Sequence, residues 1–273
     1  MKTTSIKILI ILFVGILLFS CEKKDTLTTA PELPPAESMV FDFSELDPYK
    51  SAELSKVNWI YSATTVGFWS AILGSTLAVP VAAFYAAIEH QPVRVDDQTW
   101  QWEYDVDGFT STYTARLTGK LESNHIKWEM YIAKTGINYF DEFLWFEGTS
   151  ELDGNSGQWI LYYSPGYQDK FLQIDWEKKG ENVGQVKYTY IREKNDQGEN
   201  DVYFGSTLTY KLQNVGFDKY LNVHIYNQQE TDFIDTIIEW STPYHTGHVK
   251  SEYFYSDSEW HCWDSTGDDV DCN

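Results

Sequence analysis

The chain has 273 residues, 41 of them acidic and 20 basic, for a formal net charge of −21 at pH 7. That balance excludes a nucleic-acid backbone as partner, because phosphate binding needs a basic surface. With 42% hydrophobic residues, including 11 Trp, 19 Tyr and 15 Phe, the chain also carries far too much apolar surface to remain disordered.

Residues 1–20 begin with Lys2 and Lys7, continue through an apolar run from Ile8 to Phe19 and end just before Cys21. The run is too short to span a bilayer and has the layout of a secretory signal peptide. The stretch Leu18-Phe19-Ser20-Cys21 resembles the lipobox of bacterial lipoproteins. That resemblance implies cleavage before Cys21, a lipidated Cys21 thiol and an outer-membrane protein held to membrane lipid by its anchor. Two further cysteines remain, Cys262 and Cys272. In an oxidising compartment they read as a disulfide, stabilising by about 2–3 kcal/mol on loop-closure grounds.

Residues 21–47 follow as a flexible tether, on the strength of the Thr, Pro and charge in EKKDTLTTAPELPPAES. Within it, Asp25-Thr26-Leu27 resembles a short bacterial O-glycosylation sequon.

Residues 48–90 read as an apolar helical hairpin. Asp47-Pro48 supplies a capping side chain and a proline at the first helical position. Leu54, Val57, Tyr61, Phe68 and Ile72 recur at helical spacing, with Asn58, Ser62 and Thr65 as a polar stripe. Gly74-Ser75-Thr76 and Pro80 predict a break before a second, alanine-rich helix from Leu77 to His90. The uncharged stretch 67–88 raises the alternative of a membrane span. Neither half reaches the ~20 apolar residues a span needs. A single later crossing would also return Cys262 and Cys272 to a reducing compartment. The expectation is therefore a buried hairpin and no transmembrane span in the mature domain.

Residues 91–273 alternate apolar and polar side chains. In WQWEYD, Trp100, Trp102 and Tyr104 share one face while Gln101, Glu103 and Asp105 share the other. Comparable runs down to VKSEYFYS make about eleven strands, separated by turn signals such as Asp153-Gly154-Asn155, Lys179-Gly180 and Thr246-Gly247. The connections are too short for crossover helices. The fold class is thus mainly β: a long curled antiparallel meander, barrel or half-barrel, packed on the N-terminal helices as one folding unit over 48–273. No period is regular enough to define a sequence repeat. This element order loosely resembles the half-barrel carriers and lipoproteins of the bacterial envelope, which hold lipid or acyl chains. The resemblance implies an apolar ligand on the concave face and transfers no binding residue.

Motifs for chemistry are sparse. The chain contains no Gly-x-Ser-x-Gly, no phosphate loop and no dinucleotide fingerprint, so the reading is non-enzymatic and without cofactor. His245 and His248 flank a turn glycine, a poor zinc geometry, and His224 sits within a strand. Asp264, Asp268, Asp269 and Asp271 read as a charged C-terminal turn without calcium-loop spacing. Carboxylates beside aromatics, as in Trp102-Glu103, Phe146-Glu147, Trp176-Glu177 and Glu239-Trp240, fit a glycosidase, but neighbours on a strand face opposite ways. The expected function is binding of an apolar or acyl ligand, or of an envelope protein. The alternative is glycan binding on coplanar exposed rings among Trp100, Trp159, Trp176 and Trp260.

Overall fold

The computed structural model describes residues 29–40, 46, 56–107, 111–213 and 216–272. The expected lipidation site Cys21, the Asp25-Thr26-Leu27 sequon and the helix start at Asp47-Pro48 lie outside the described residues.

In place of a helical hairpin there is one helix, α1, over Val57–Glu89, with Pro80 inside it. Local sequence argued for a break, since an internal proline costs about 3 kcal/mol. Packing reverses that outcome. Leu73, Leu77, Pro80, Phe84 and Ala87 are all buried, so a single apolar stripe passes through the proline without losing register. Ser70 and Ser75 donate back to the carbonyls of Val66 and Ile72 at 2.8 and 2.9 Å, which satisfies their hydroxyls within the helix.

The helix start is capped from far along the chain. Asp269 accepts the backbone N–H of Val57 at 3.1 Å and of Asn58 at 2.9 Å, so the first orphan donors of α1 meet a carboxylate at the positive end of the helix.

Fourteen strands follow, every one antiparallel to its neighbours and ordered as in the chain. They are β1 (Val93–Arg94), β2 (Thr99–Asp107), β3 (Thr112–Glu122), β4 (His125–Lys134), β5 (Phe140–Glu151), β6 (Ser156–Ser164) and β7 (Tyr167–Lys179) in the first half. The second half holds β8 (Asn182–Tyr190), β9 (Thr207–Leu212), β10 (Lys219–Asn227), β11 (Asp232–Ser241), β12 (Thr246–Lys250), β13 (His261–Trp263) and β14 (Asp269–Val270). The sheet curls but does not close, because β1 and β14 are its two edges. The eleven expected strands are β2–β12. The last expected run, VKSEYFYS, divides: β12 ends at Lys250 and Glu252–Tyr255 forms a short helical turn, α2.

The turn expected at Thr246-Gly247 lies one step earlier. Residues 242–245 make it, with His245 at φ 56°, while Gly247 belongs to β12. Gly247 is required for another reason. A Cβ there would stand 2.1 Å from Trp263 Cζ2.

The same device recurs across the sheet. Trp100 pairs with Gly119, Gly119 with Trp128, Trp128 with Gly148 and Gly148 with Trp159, so Trp and Gly alternate in one row from β2 to β6. A second set, Gly157 with Trp176 and Trp240-Gly247-Trp263, continues it on β6–β7 and β11–β13. At Gly119, Gly148 and Gly157 an added Cβ would come within 2.5, 2.3 and 2.7 Å of the indole on the next strand. Each ring lies flat over a residue with no side chain. The surplus of aromatics is thereby absorbed into the concave core, and the repeat that sequence period does not show exists at the level of strand register.

A last correction concerns the tether. Residues from Ala30 to Val40 run against the concave face, with Ala36–Ser38 as a 3-10 turn and Met39 fully buried. Trp159 Nε1 donates to Ser38 Oγ at 2.9 Å and the Tyr188 hydroxyl to the Met39 carbonyl at 3.1 Å. The prolines that suggested a flexible linker instead space Leu33, Ala36 and Met39 so that they pack toward the sheet.

Candidate functional site

The way α1 crosses the sheet leaves a cleft. Near its start, the Tyr61 hydroxyl bonds Ser251 and Thr236 at 3.1 and 3.0 Å, and Asn58 Nδ2 donates to the Cys262 carbonyl at 2.9 Å. Near its end, the Tyr104 hydroxyl donates to the Ala83 carbonyl, and Phe84 packs edge-on against Phe146 and Trp159 with centroids 6.3 and 5.4 Å away. Both ends are thus fixed to the two flanks of the sheet. Between them, the stretch Phe68–Thr76 bridges β7–β10 over a cleft of about 400 Å³, within the size range of small-molecule sites.

The helix wall consists of Phe68, Trp69, Ile72, Leu73 and Thr76. The opposite floor is Leu172, Tyr188, Leu208 and Ile225. Polar groups enter from one side only, where Tyr190, Tyr203, Ser206 and Thr207 line the cleft. Residues 191–206, which join β8 to β9, form this side. Asp201 Oδ2 accepts the Tyr190 hydroxyl at 2.8 Å. Burial, reinforced by that carboxylate, raises the Tyr190 phenol above its ordinary range, so it remains protonated throughout the physiological range. Arg192 anchors the connection by ion pairs to Asp196 at 2.6 Å and Asp169 at 3.5 Å, with its guanidinium 4.0 Å over the Tyr163 ring.

Other hollows have a different character. One of about 730 Å³ near Asn155 and Lys178 is bordered by Glu151, Asp175 and Glu177 and lies open to solvent. Another, of about 570 Å³ beside Asp232 and Glu252, is likewise polar. Neither offers an apolar body the surface that the cleft under α1 does.

The residues singled out from sequence are not brought together. Trp100, Trp159 and Trp176 are 3%, 0% and 2% exposed and belong to the tryptophan–glycine rows, so the expected glycan platform of coplanar exposed rings does not form. Sequence alternation placed these rings on a common face without saying that the face is inward. Trp260 lies apart from them and stacks on His248 at 3.8 Å. His248 Nε2 in turn meets Glu239 Oε2 at 2.6 Å. His224 pairs with Asp235 at 2.9 Å and stacks on Phe233 at 4.6 Å. Among the described residues no group of three or more His, Cys, Asp and Glu is arranged to hold a metal ion.

The C-terminal acidic residues have structural work. Asp264 accepts from Thr266 and from the Asp268 N–H, and Asp269 caps α1. Cys262 and Cys272 are bonded, S–S 2.07 Å, joining β13 to the residues just after β14. Of the cleft residues, sequence reading had Phe68 and Ile72 only as helix core. The one available signal was the absence of charge from Val57 to Ile88, which predicts contact with something apolar on more than one side. The outward side of α1 is indeed apolar, with Phe68 59%, Tyr85 45% and Ile88 52% exposed. By length and composition α1 is also long and apolar enough to cross a membrane.

No family model, curated protein or solved structure matches the chain.

Proposed function

We propose that the protein binds an apolar ligand, an acyl chain or a group of similar shape, in the cleft between α1 and β7–β10, and that it does so without catalysis as a lipid-anchored protein of the outer membrane. The observation that carries the reading is the cleft itself. Its helix wall and floor are apolar, its polar groups lie on one side, and its two ends are closed by the packing of α1. Such a site buries a chain and orients one polar end. The anchor is supported by the lipobox-like Leu18–Cys21 stretch and by a disulfide that suits an oxidising compartment.

Two measurements test this. The chain carrying Cys21→Ala, secreted and purified without detergent, is expected to release a stoichiometric lipid into an organic extract read by mass spectrometry, whereas the unsubstituted chain partitions with membranes. Thr76→Trp, which fills the cleft from a solvent-edge position of α1, should abolish lipid recovery with the melting temperature unchanged. An empty Cys21→Ala protein that also fails to take up added acyl ligands would refute the cleft reading. Soluble behaviour of the unsubstituted chain would refute the anchor.

A further inference from the structure

Resting on the cleft reading above, we infer that the site discriminates by charge: it accepts an apolar chain whose polar end carries no negative charge and rejects the carboxylate or phosphate analogue. The polar side of the cleft offers hydroxyls from Tyr190, Tyr203, Ser206 and Thr207, which suit an ester, amide or alcohol as donors and acceptors. No lysine or arginine lines it.

The charges behind that side are negative. Asp201 receives the Tyr190 hydroxyl at 2.8 Å and the Tyr203 backbone N–H at 3.0 Å, so one carboxylate sits directly behind two lining residues. Asp235 stands in the same relation to His224, at 2.9 Å. The cation close in sequence, Arg192, is already paired with Asp196 and Asp169 and covered by Tyr163, which leaves it no free face for a ligand. An anionic head group would give up hydration and find fixed carboxylates with no counter-ion. A neutral one exchanges water for hydroxyls at little cost, and a cationic one gains from the same field.

The test is calorimetric titration of the Cys21→Ala chain at neutral pH with laurate, monolauroylglycerol and dodecyltrimethylammonium, each below its micellar concentration. The neutral and cationic ligands are expected to bind at least about tenfold tighter than laurate, a gap of about 1.4 kcal/mol. Asp201→Asn, which keeps the acceptor for Tyr190 and removes the charge, should narrow that ratio. Laurate binding as tightly as the neutral ligand overturns the charge inference and leaves the cleft reading standing. Failure of all three to bind, or binding undiminished by Thr76→Trp, overturns the cleft reading itself.

Discussion

Gly119→Ala is expected to destabilise the protein by about 2–3 kcal/mol although it adds a single methyl group to a strand, where alanine is ordinarily no worse than glycine. The new Cβ would stand 2.5 Å from Trp128 Cζ3 and 3.0 Å from Cε3. Trp128 cannot retreat. It is fully buried, its Nε1 donates to Ser150 Oγ at 2.9 Å, and its ring is held beside Trp102 at 5.9 Å. At this chain length each kcal/mol lowers the melting temperature by about 2–4 °C, so calorimetry should read a fall of roughly 4–12 °C. A cycle with Trp128→Leu decides the cause. In that background the clash is gone, and Gly119→Ala should become close to neutral. An equal cost in both backgrounds would mean that backbone conformation, not the indole, demands glycine. The same logic extends to Gly148 and Gly247 with a harsher outcome, because there an added Cβ also meets backbone, Gln158 O at 2.4 Å and Glu239 O at 2.6 Å.

Removing the disulfide by Cys262→Ser with Cys272→Ser should cost about 2–3 kcal/mol from loop closure and a further ~1 kcal/mol from loosened helix capping. The second contribution follows from position. The bond ties β13 to the strand carrying Asp269, and the same hairpin holds α1 through Lys56 Nζ on the Thr266 carbonyl at 2.6 Å and Asn58 Nδ2 on the Cys262 carbonyl at 2.9 Å. Gly267, at φ 85°, lets this turn lie against Trp59, 3.4 Å from its ring. Denaturant titration separates the contributions. Asp269→Ala alone should cost about 1 kcal/mol with the disulfide intact and distinctly less without it. If Asp269→Ala costs the same in both backgrounds, the disulfide does not hold the cap, and only the loop-closure contribution stands.

Most of the sheet was legible because a half-buried antiparallel strand records its own faces. Trp100, Trp102 and Tyr104 were placed together by alternation, and all three point into the core. β1, β13 and β14 were missed because two or three residues are too few to display a period. α2 was read as the end of a strand because Tyr253, Phe254 and Tyr255 favour extended chain, and only the ring contacts of Tyr61 with Phe254 and Tyr255 hold that turn against α1. The candidate site was less legible than the fold. Its walls come from one helix, four strands and a connection that are adjacent only after the sheet curls, and its lining residues have no motif in common.

By itself the sequence determined the acidic surface, the cysteine chemistry and the alternating strands, because charge, oxidation and two-residue periodicity are local properties. Tertiary structure decided the rest. It made α1 continuous, since burial of one apolar stripe outweighs the proline, and it capped that helix with a carboxylate 212 residues away. It also turned Trp159 and Trp176 inward onto glycines and left the cleft beneath the middle of α1. These depend on which strand lies beside which, in what register, and that is set by the long-range packing of the whole sheet and not by any single stretch of chain.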